Sequence, residues 1–295
     1  MRRRNRCPIQ GGKRRLISSG GDATTSEDAI VLSSLVKAVW QYRYFIYTSV
    51  RADFNGRVSR SRLGLLWLVI APLSQVLIYA FVLSSLMSQR LPNIDNRFSY
   101  SLYLLAGFLG WYLFTDIFNR CLTLFIDNAN VLKKISFPRM ALPFVVVISS
   151  TINNVIFFVI VAAVYLATGY GFSTSLVWLP VLFLLNILFA TGLGLVCGVV
   201  NVFIRDVGQM CGIVIQFLFW LTPIVYTINI LPPLFQKIVM LNPLFWIIDS
   251  YHRVLVYGTA PDYAALGALT LLSVALLSLA LFLFRKSSSE MVDVL

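Results

Sequence analysis

Asp116 and Arg120 stand four residues apart, acid first, inside an otherwise apolar stretch. On a helix that spacing places both on one face, in the orientation that favours an ion pair. Two uses fit the pair. One is mutual neutralisation within a helix bundle; the other is lining a path for a polar cargo, since a charge among apolar side chains is costly and needs a reason. A proton relay requires more ionisable partners than these apolar stretches contain.

Aromatic side chains offer a second chemistry. Tyr100, Tyr103, Trp111, Phe114, Phe118 and Phe125 fall near one helical stripe that also holds Gly107. Gln209, Gly212, Gln216 and Trp220 fall near another. Flat rings stack on the apolar faces of sugars while Gln and Tyr bond to hydroxyls, so Tyr100, Tyr103, Trp111, Phe114, Phe118, Gln216 and Trp220 are candidates for a carbohydrate path. Helix packing and lipid contact are the alternative for each of them. Asn153 and Asn154 are expected to form hydrogen bonds between helices.

Other chemistries find no residues to carry them. ATP hydrolysis needs a glycine-rich phosphate loop of the form GxxxxGK[ST], and the nearest approach, Gly11-Gly12-Lys13, is followed by Arg14 in a polar tail. If transport is active, the nucleotide is hydrolysed on another subunit or an ion gradient drives it. Cys7, Cys121, Cys197 and Cys211 show neither disulfide nor zinc spacing, and the single histidine, His252, is expected at the surface or at a channel mouth. The chain is therefore expected to hold no metal and no cofactor of its own.

The elements that position these residues follow from composition. Of 295 residues 58% are hydrophobic and 12% charged, with a mean hydropathy of +0.81, against about 25% charged in soluble domains. The apolar residues come in blocks long enough to cross roughly 30 Å of hydrocarbon as helix. The fold class expected is an all-α integral membrane protein with six spans, at 63–86, 100–126, 142–167, 176–203, 207–227 and 264–284. Residues 1–28 read as a disordered basic tail, 29–62 as an interfacial amphipathic helix and the approach to the first span, and 63–295 as the membrane domain. Residues 231–258, broken by Pro232, Pro233 and Asn242-Pro243, predict a re-entrant helix pair between the fifth and sixth spans.

Charge distribution sets the expected orientation. With six spans, 19 of the 24 Lys and Arg residues fall on the side of the termini, so both termini are expected in the cytoplasm. The formal charge of +12 is therefore a topology signal, and no nucleic-acid partner is expected.

Several pieces recur in a known order: RADFNGRVSRSRLGLLWLVIAPLSQVLIYAFVLSSL, then NANVLKKISFPRMALP, VFIRDV, LTPIVY and LNPLFWIIDSYHRVL. In these the chain resembles the permease subunits of polysaccharide-exporting ABC transporters, the O-antigen, capsule and teichoic-acid exporters. The resemblance implies a homodimer in a bacterial inner membrane, two cytoplasmic subunits carrying ATP and magnesium, and a channel for a lipid-linked glycan. It implies that Asn130, Lys133, Lys134, Arg139, Arg205 and Asp206 press on the ATPases. It also implies that 40–62 form a gate near the lipid headgroups, where Arg51, Arg57, Arg60 and Arg62 either meet the substrate's pyrophosphate through planar forks or anchor the inner face. The alternatives are a membrane-embedded transferase acting on lipid-linked sugars, with Asp53, Asp116 and Asp127 as weak acid or base candidates, and an ABC permease for a drug or a simple lipid.

Overall fold

The structure is a computed structural model that describes residues 43–59, 99–134, 141–171, 173–287 and 290–294, with scattered positions between 66 and 78. The tail 1–28, the segment 29–42, most of the first span, and Arg60, Arg62 and Arg139 lie outside the described residues, as do the side chains of Arg57 and Lys134. Among the described residues every regular element is helical: α1 (Arg43–Ser59), α2 (Ser99–Asp127), α3 (Ala129–Lys134), α4 (Ala141–Ala167), a 3₁₀ turn (Thr174–Trp178) running into α5 (Leu179–Phe203), α6 (Asp206–Leu221), α7 (Pro233–Met240), α8 (Pro243–Leu255), α9 (Tyr263–Ser287) and α10 (Glu290–Val294).

Four of these are long and apolar enough to cross a membrane: α2, α4, the 3₁₀ turn joined to α5, and α9. The expected fifth span is corrected in length. Its helix, α6, stops at Leu221 rather than continuing to residue 227, because Pro223 has no N–H to continue the ladder and forces the residue before it out of helical geometry. Thr222 accordingly takes φ −93°, ψ 130°. With 16 residues α6 is roughly 24 Å long, short of the hydrocarbon thickness. The segment after it contains a short 3₁₀ turn (Ile228–Ile230) and two α-helices, α7 of 8 residues and α8 of 13, neither long enough to cross. Asn242-Pro243 separates them: Asn242 Oδ1 accepts from Leu244 N at 3.0 Å, so the same dipeptide that ends one helix caps the next.

Packing within the unit from Tyr44 to Leu295 centres on α2, which lies against α4, α5 and α8, while α5 also carries α9 on its other side. Burial follows: 78% of the most apolar stretch of α2 is enclosed by protein, against 22% for α9. Lipid tails are as apolar as leucine, so close backbone approach and hydrogen bonds have to hold such helices together. On α5 a Cβ added to Gly198 would lie 2.4 Å from the Cys121 carbonyl oxygen, and one added to Gly194 would lie 2.8 Å from Cys121 Cβ. Those glycines let α5 and α2 touch through their main chains. Asparagines supply the hydrogen bonds: Asn154 Nδ2 donates to Leu109 O at 3.0 Å, as expected of it, Asn186 Nδ2 to Gly110 O at 2.8 Å and Asn201 Nδ2 to Leu122 O at 3.0 Å.

Candidate functional site

Two ends of the bundle carry the polar side chains. One end gathers α3, the α5–α6 turn and the end of α9, as the Asn201–Leu122 bond and the stacked rings of Phe125 and Phe284, 5.4 Å apart, show. Asn130 and Lys133 are exposed on α3, and Arg205 and Asp206 are exposed in the turn. Asn201, which the sequence reading missed, holds that turn. Its Nδ2 is bonded to α2 while its Oδ1 accepts from Gly208 N at 2.9 Å, so the start of α6 is tied to α2 through one side chain. An amide four residues before a basic turn, at the end of an apolar helix, was the available signal.

Near this end Arg120 is bound, but not to Asp116. Its Nη2 donates to Asp53 Oδ2 at 2.9 Å and its Nη1 to Ser150 Oγ at 3.3 Å, while Ser149 Oγ donates to the same Asp53 oxygen at 2.6 Å. The expected pairing of Asp116 with Arg120 is thus corrected. The i, i+4 spacing is able to close, since on α8 the Arg253 Nε donates to Asp249 Oδ2 at 2.6 Å. At Arg120 a better-supported carboxylate wins, because Asp53 carries a serine donor as well as the guanidinium. Asp53 reaches the bundle from α1, whose inward face is Ile46 and Val50 and whose outward face shows Tyr44, Tyr47 and Arg51.

The opposite end is stitched by neutral hydrogen bonds. Tyr100 OH donates to Val225 O at 2.8 Å, and Tyr103 OH lies 3.1 Å from both Pro223 O and Tyr226 O, so α2 grips the turn that follows α6. Asn242 Nδ2 donates to Thr222 Oγ1 at 2.9 Å from the other side. His252 is corrected from a surface residue to a buried one, 2% exposed. Its ring stacks on Tyr103 with centroids 3.7 Å apart and its Nε2 lies 3.1 Å from the Tyr103 carbonyl oxygen. A carbonyl only accepts, so Nε2 carries the proton. Gly107 makes the space, since a Cβ there would sit 2.8 Å from Nε2. Burial pushes the His252 pKa down to about 3, against a smaller opposing effect of the bond to Tyr103, and the imidazole is neutral.

The structure parts the two aromatic stripes. Tyr103, Trp111, Phe114 and Phe118 are enclosed within the chain, where Trp111 meets Phe219 and Phe114 meets Phe189 at centroid distances of 5.5 and 5.9 Å. Tyr100 is half-buried, and Gln216 and Trp220 on α6 are exposed. Of the candidate path residues, those on α6 reach the surface of the chain together with Ile213, Val214 and Phe217. No group of three or more His, Cys, Asp or Glu with metal-holding geometry occurs among the described residues.

Comparison with known proteins adds what geometry alone does not carry. The sequence profile of the family described as ABC-2 type transporter matches residues 44–256. The O-antigen export system permease protein RfbA of Klebsiella pneumoniae is 28% identical over 244 residues, covering 82% of this chain and 92% of that protein. RfbA of Myxococcus xanthus is 26% identical over 261 residues, 88% of this chain and 98% of its own length. The polysialic acid transport protein KpsM of Escherichia coli is 22% identical over 245 residues, 81% and 92% of the two chains.

Proposed function

Because the chain belongs to the ABC-2 type transporter family, we propose that it is the membrane permease of an ATP-driven exporter whose cargo is a lipid-linked polysaccharide. The observation that carries this is the end of the bundle where Asn130, Lys133, Arg205 and Asp206 stand exposed on short elements tied to the spans. A chain without a phosphate loop needs an outside motor, and these elements form a surface onto which two copies of a cytoplasmic ATPase, carrying ATP and magnesium, would dock. The relatives named for O-antigen and polysialic acid export, aligned over most of both chains, favour a glycan over a drug or a simple lipid.

On this reading the protein crosses a bacterial inner membrane six times, with 63–86 and α6 extended by its following turn completing the set, and with both termini cytoplasmic. Helices α7 and α8 re-enter from the far face. The exposed apolar face of α6 meets a second copy, so the channel runs between two protomers past Gln216 and Trp220. The arginines of 51–62 receive the pyrophosphate of the lipid carrier at the inner leaflet.

Inverted vesicles containing the full exporter provide the test. ATP-dependent uptake of a lipid-linked glycan is expected with the ATPase present and absent without it, and the purified permease is expected to hydrolyse no ATP. Hydrolysis, glycan uptake or sugar transfer by the permease alone would overturn the reading.

A further inference from the structure

We propose that Arg120 is a positioning residue for α1 that exchanges its carboxylate partner, holding Asp53 when α1 is docked and Asp116 when α1 lifts away. Both acids belong to its surroundings: Asp53 is bonded to it at 2.9 Å, and Asp116 lies one turn back on the same helix, half-buried and, among the described residues, in no ion pair. The acid-first, four-residue spacing of Asp116 and Arg120 is the one that Asp249 and Arg253 close at 2.6 Å. The 116–120 spacing is therefore one that can close, and in this structure the guanidinium is turned to Asp53 and Ser150 instead.

The energetic argument concerns what α1 leaves behind. Arg120 lies seven residues from the end of α2, roughly 10 Å along the helix from Asp127. A guanidinium stranded there without a partner is costly, and that cost would by itself keep α1 clamped. With Asp116 in reach, the departing Asp53 carries its charge to the aqueous surface while Arg120 stays neutralised, so release exchanges one ion pair for another. Ser149 and Ser150 grade the closed state, donating to Asp53 at 2.6 Å and accepting from Arg120 at 3.3 Å.

The two ends of the bundle differ in just this respect. At the end held by Tyr100, Tyr103, His252 and Asn242 the bonds that join the elements are neutral and mostly to backbone carbonyls. At the Arg120 end a charged contact, Arg120 with Asp53, joins α1, whose buried face carries Ile46 and Val50, to α2, and Ser149 ties the same carboxylate to α4. Motion is thereby assigned to α1 and rigidity to the α2–α8 end. The inference deepens the exporter reading by naming the contact that releases its gate.

Labelling kinetics test it without cargo or nucleotide, so failure of the export assay and failure of the latch are separate results. The full-length permease, with Cys7, Cys197 and Cys211 replaced by serine and a Val50→Cys reporter on the buried face of α1, is placed in phosphatidylethanolamine–phosphatidylglycerol vesicles and reacted with a maleimide. Cys121, wholly buried where α2 meets α5, stays as the monitor of global unfolding. Labelling tracks the open population of α1 when reclosing is fast. Asp53→Asn is expected to speed the Val50→Cys reaction on the order of ten-fold by removing the docked partner. Asp116→Asn is expected to slow it several-fold, the opposite direction, because release then strands Arg120. The charge exchange Asp53→Arg with Arg120→Asp is expected to return the rate towards that of the unsubstituted pair. An unchanged or faster rate in Asp116→Asn would overturn the partner exchange. An unchanged rate in Asp53→Asn, or a parallel rise in Cys121 labelling, would overturn the latch.

Discussion

A histidine wedged between Tyr103 and Gly107, with Nε2–H on a backbone carbonyl, keeps its place only while neutral, because a second proton would add an unpaired charge to a site closed to water. Its folded-state pKa of about 3 lies below the ordinary value of 6.5. Above pH 6.5 folded and unfolded chains are both neutral at this residue. Below it the unfolded chain takes up a proton that the folded chain refuses, so stability falls as the pH drops from 6.5 towards 3, by up to about 1.4 kcal/mol per unit. Detergent-solubilised protein is thus expected to lose about 2–4 °C of melting temperature between pH 6.5 and 5.5 from this residue. His252→Gln should flatten that pH dependence; an equal slope in both proteins would remove His252 as its source. Asn201 predicts a different loss: Asn201→Ala leaves the Gly208 N–H only its longer bond to Arg205 O, at 3.2 Å, removes the donor to Leu122 O, and is expected to cost about 1–2 kcal/mol in chemical denaturation. Residue identities made some of this legible. Asn154 bonds between helices because an amide in an apolar helix has few other uses, whereas the Asp53–Arg120 pair joins positions 67 residues apart that periodicity does not relate.

Elements in this molecule are placed as much by what is missing from a side chain as by what is present. Gly198 and Gly194 face α2, and Gly192, on the other side of α5, faces α9, where a Cβ would approach Leu277 N to 3.0 Å. Helix α5 is therefore held between two neighbours at glycine distance. At Gly198 the obstructing atom is a backbone oxygen, which cannot swing aside, so Gly198→Ala is expected to separate the helices and cost about 1–3 kcal/mol. Gly267→Ala on α9, where a Cβ meets nothing within 4 Å, is the matched control and should leave the melting temperature unchanged or raise it slightly. Equal melting temperatures for the two variants would contradict the close approach of α5 to α2. Three apolar blocks were legible almost to their ends, with α2, α4 and α9 running 99–127, 141–167 and 263–287 against expected limits of 100–126, 142–167 and 264–284, because length and hydropathy alone define a spanning helix. The end of α6 was not: Thr222-Pro223 sits inside an apolar run, and its hydropathy hides the proline's effect on the backbone.

At the scale of the whole molecule, the pairing of helix ends decides which loops share a compartment. The contact of Phe125 with Phe284 and the bond from Asn201 to Leu122 put the ends of α2, α5 and α9 together. Tyr170 OH bonds to Val256 O, Tyr100 OH to Val225 O, and Trp178 meets Tyr263 at 5.3 Å, which puts the loops around 170, 225 and 260 together at the other end. Lys133, Arg205, Arg285 and Lys286 all belong to the first end, whereas Lys237 and Arg253 belong to the second. A membrane across the bundle would therefore separate the basic-rich end from the other, and on the proposed reading the excess of Lys and Arg would place that end in the cytoplasm. Asn229 and Thr259 are exposed at the second end and Lys133 at the first, so single cysteines at these positions read the arrangement directly. With native cysteines replaced, Asn229→Cys and Thr259→Cys are expected to react with an impermeant maleimide added to intact spheroplasts, and Lys133→Cys only after permeabilisation. Reaction of all three from outside would place both ends in one compartment, and with it would go the separation between the surface offered to a motor and the surface where cargo leaves.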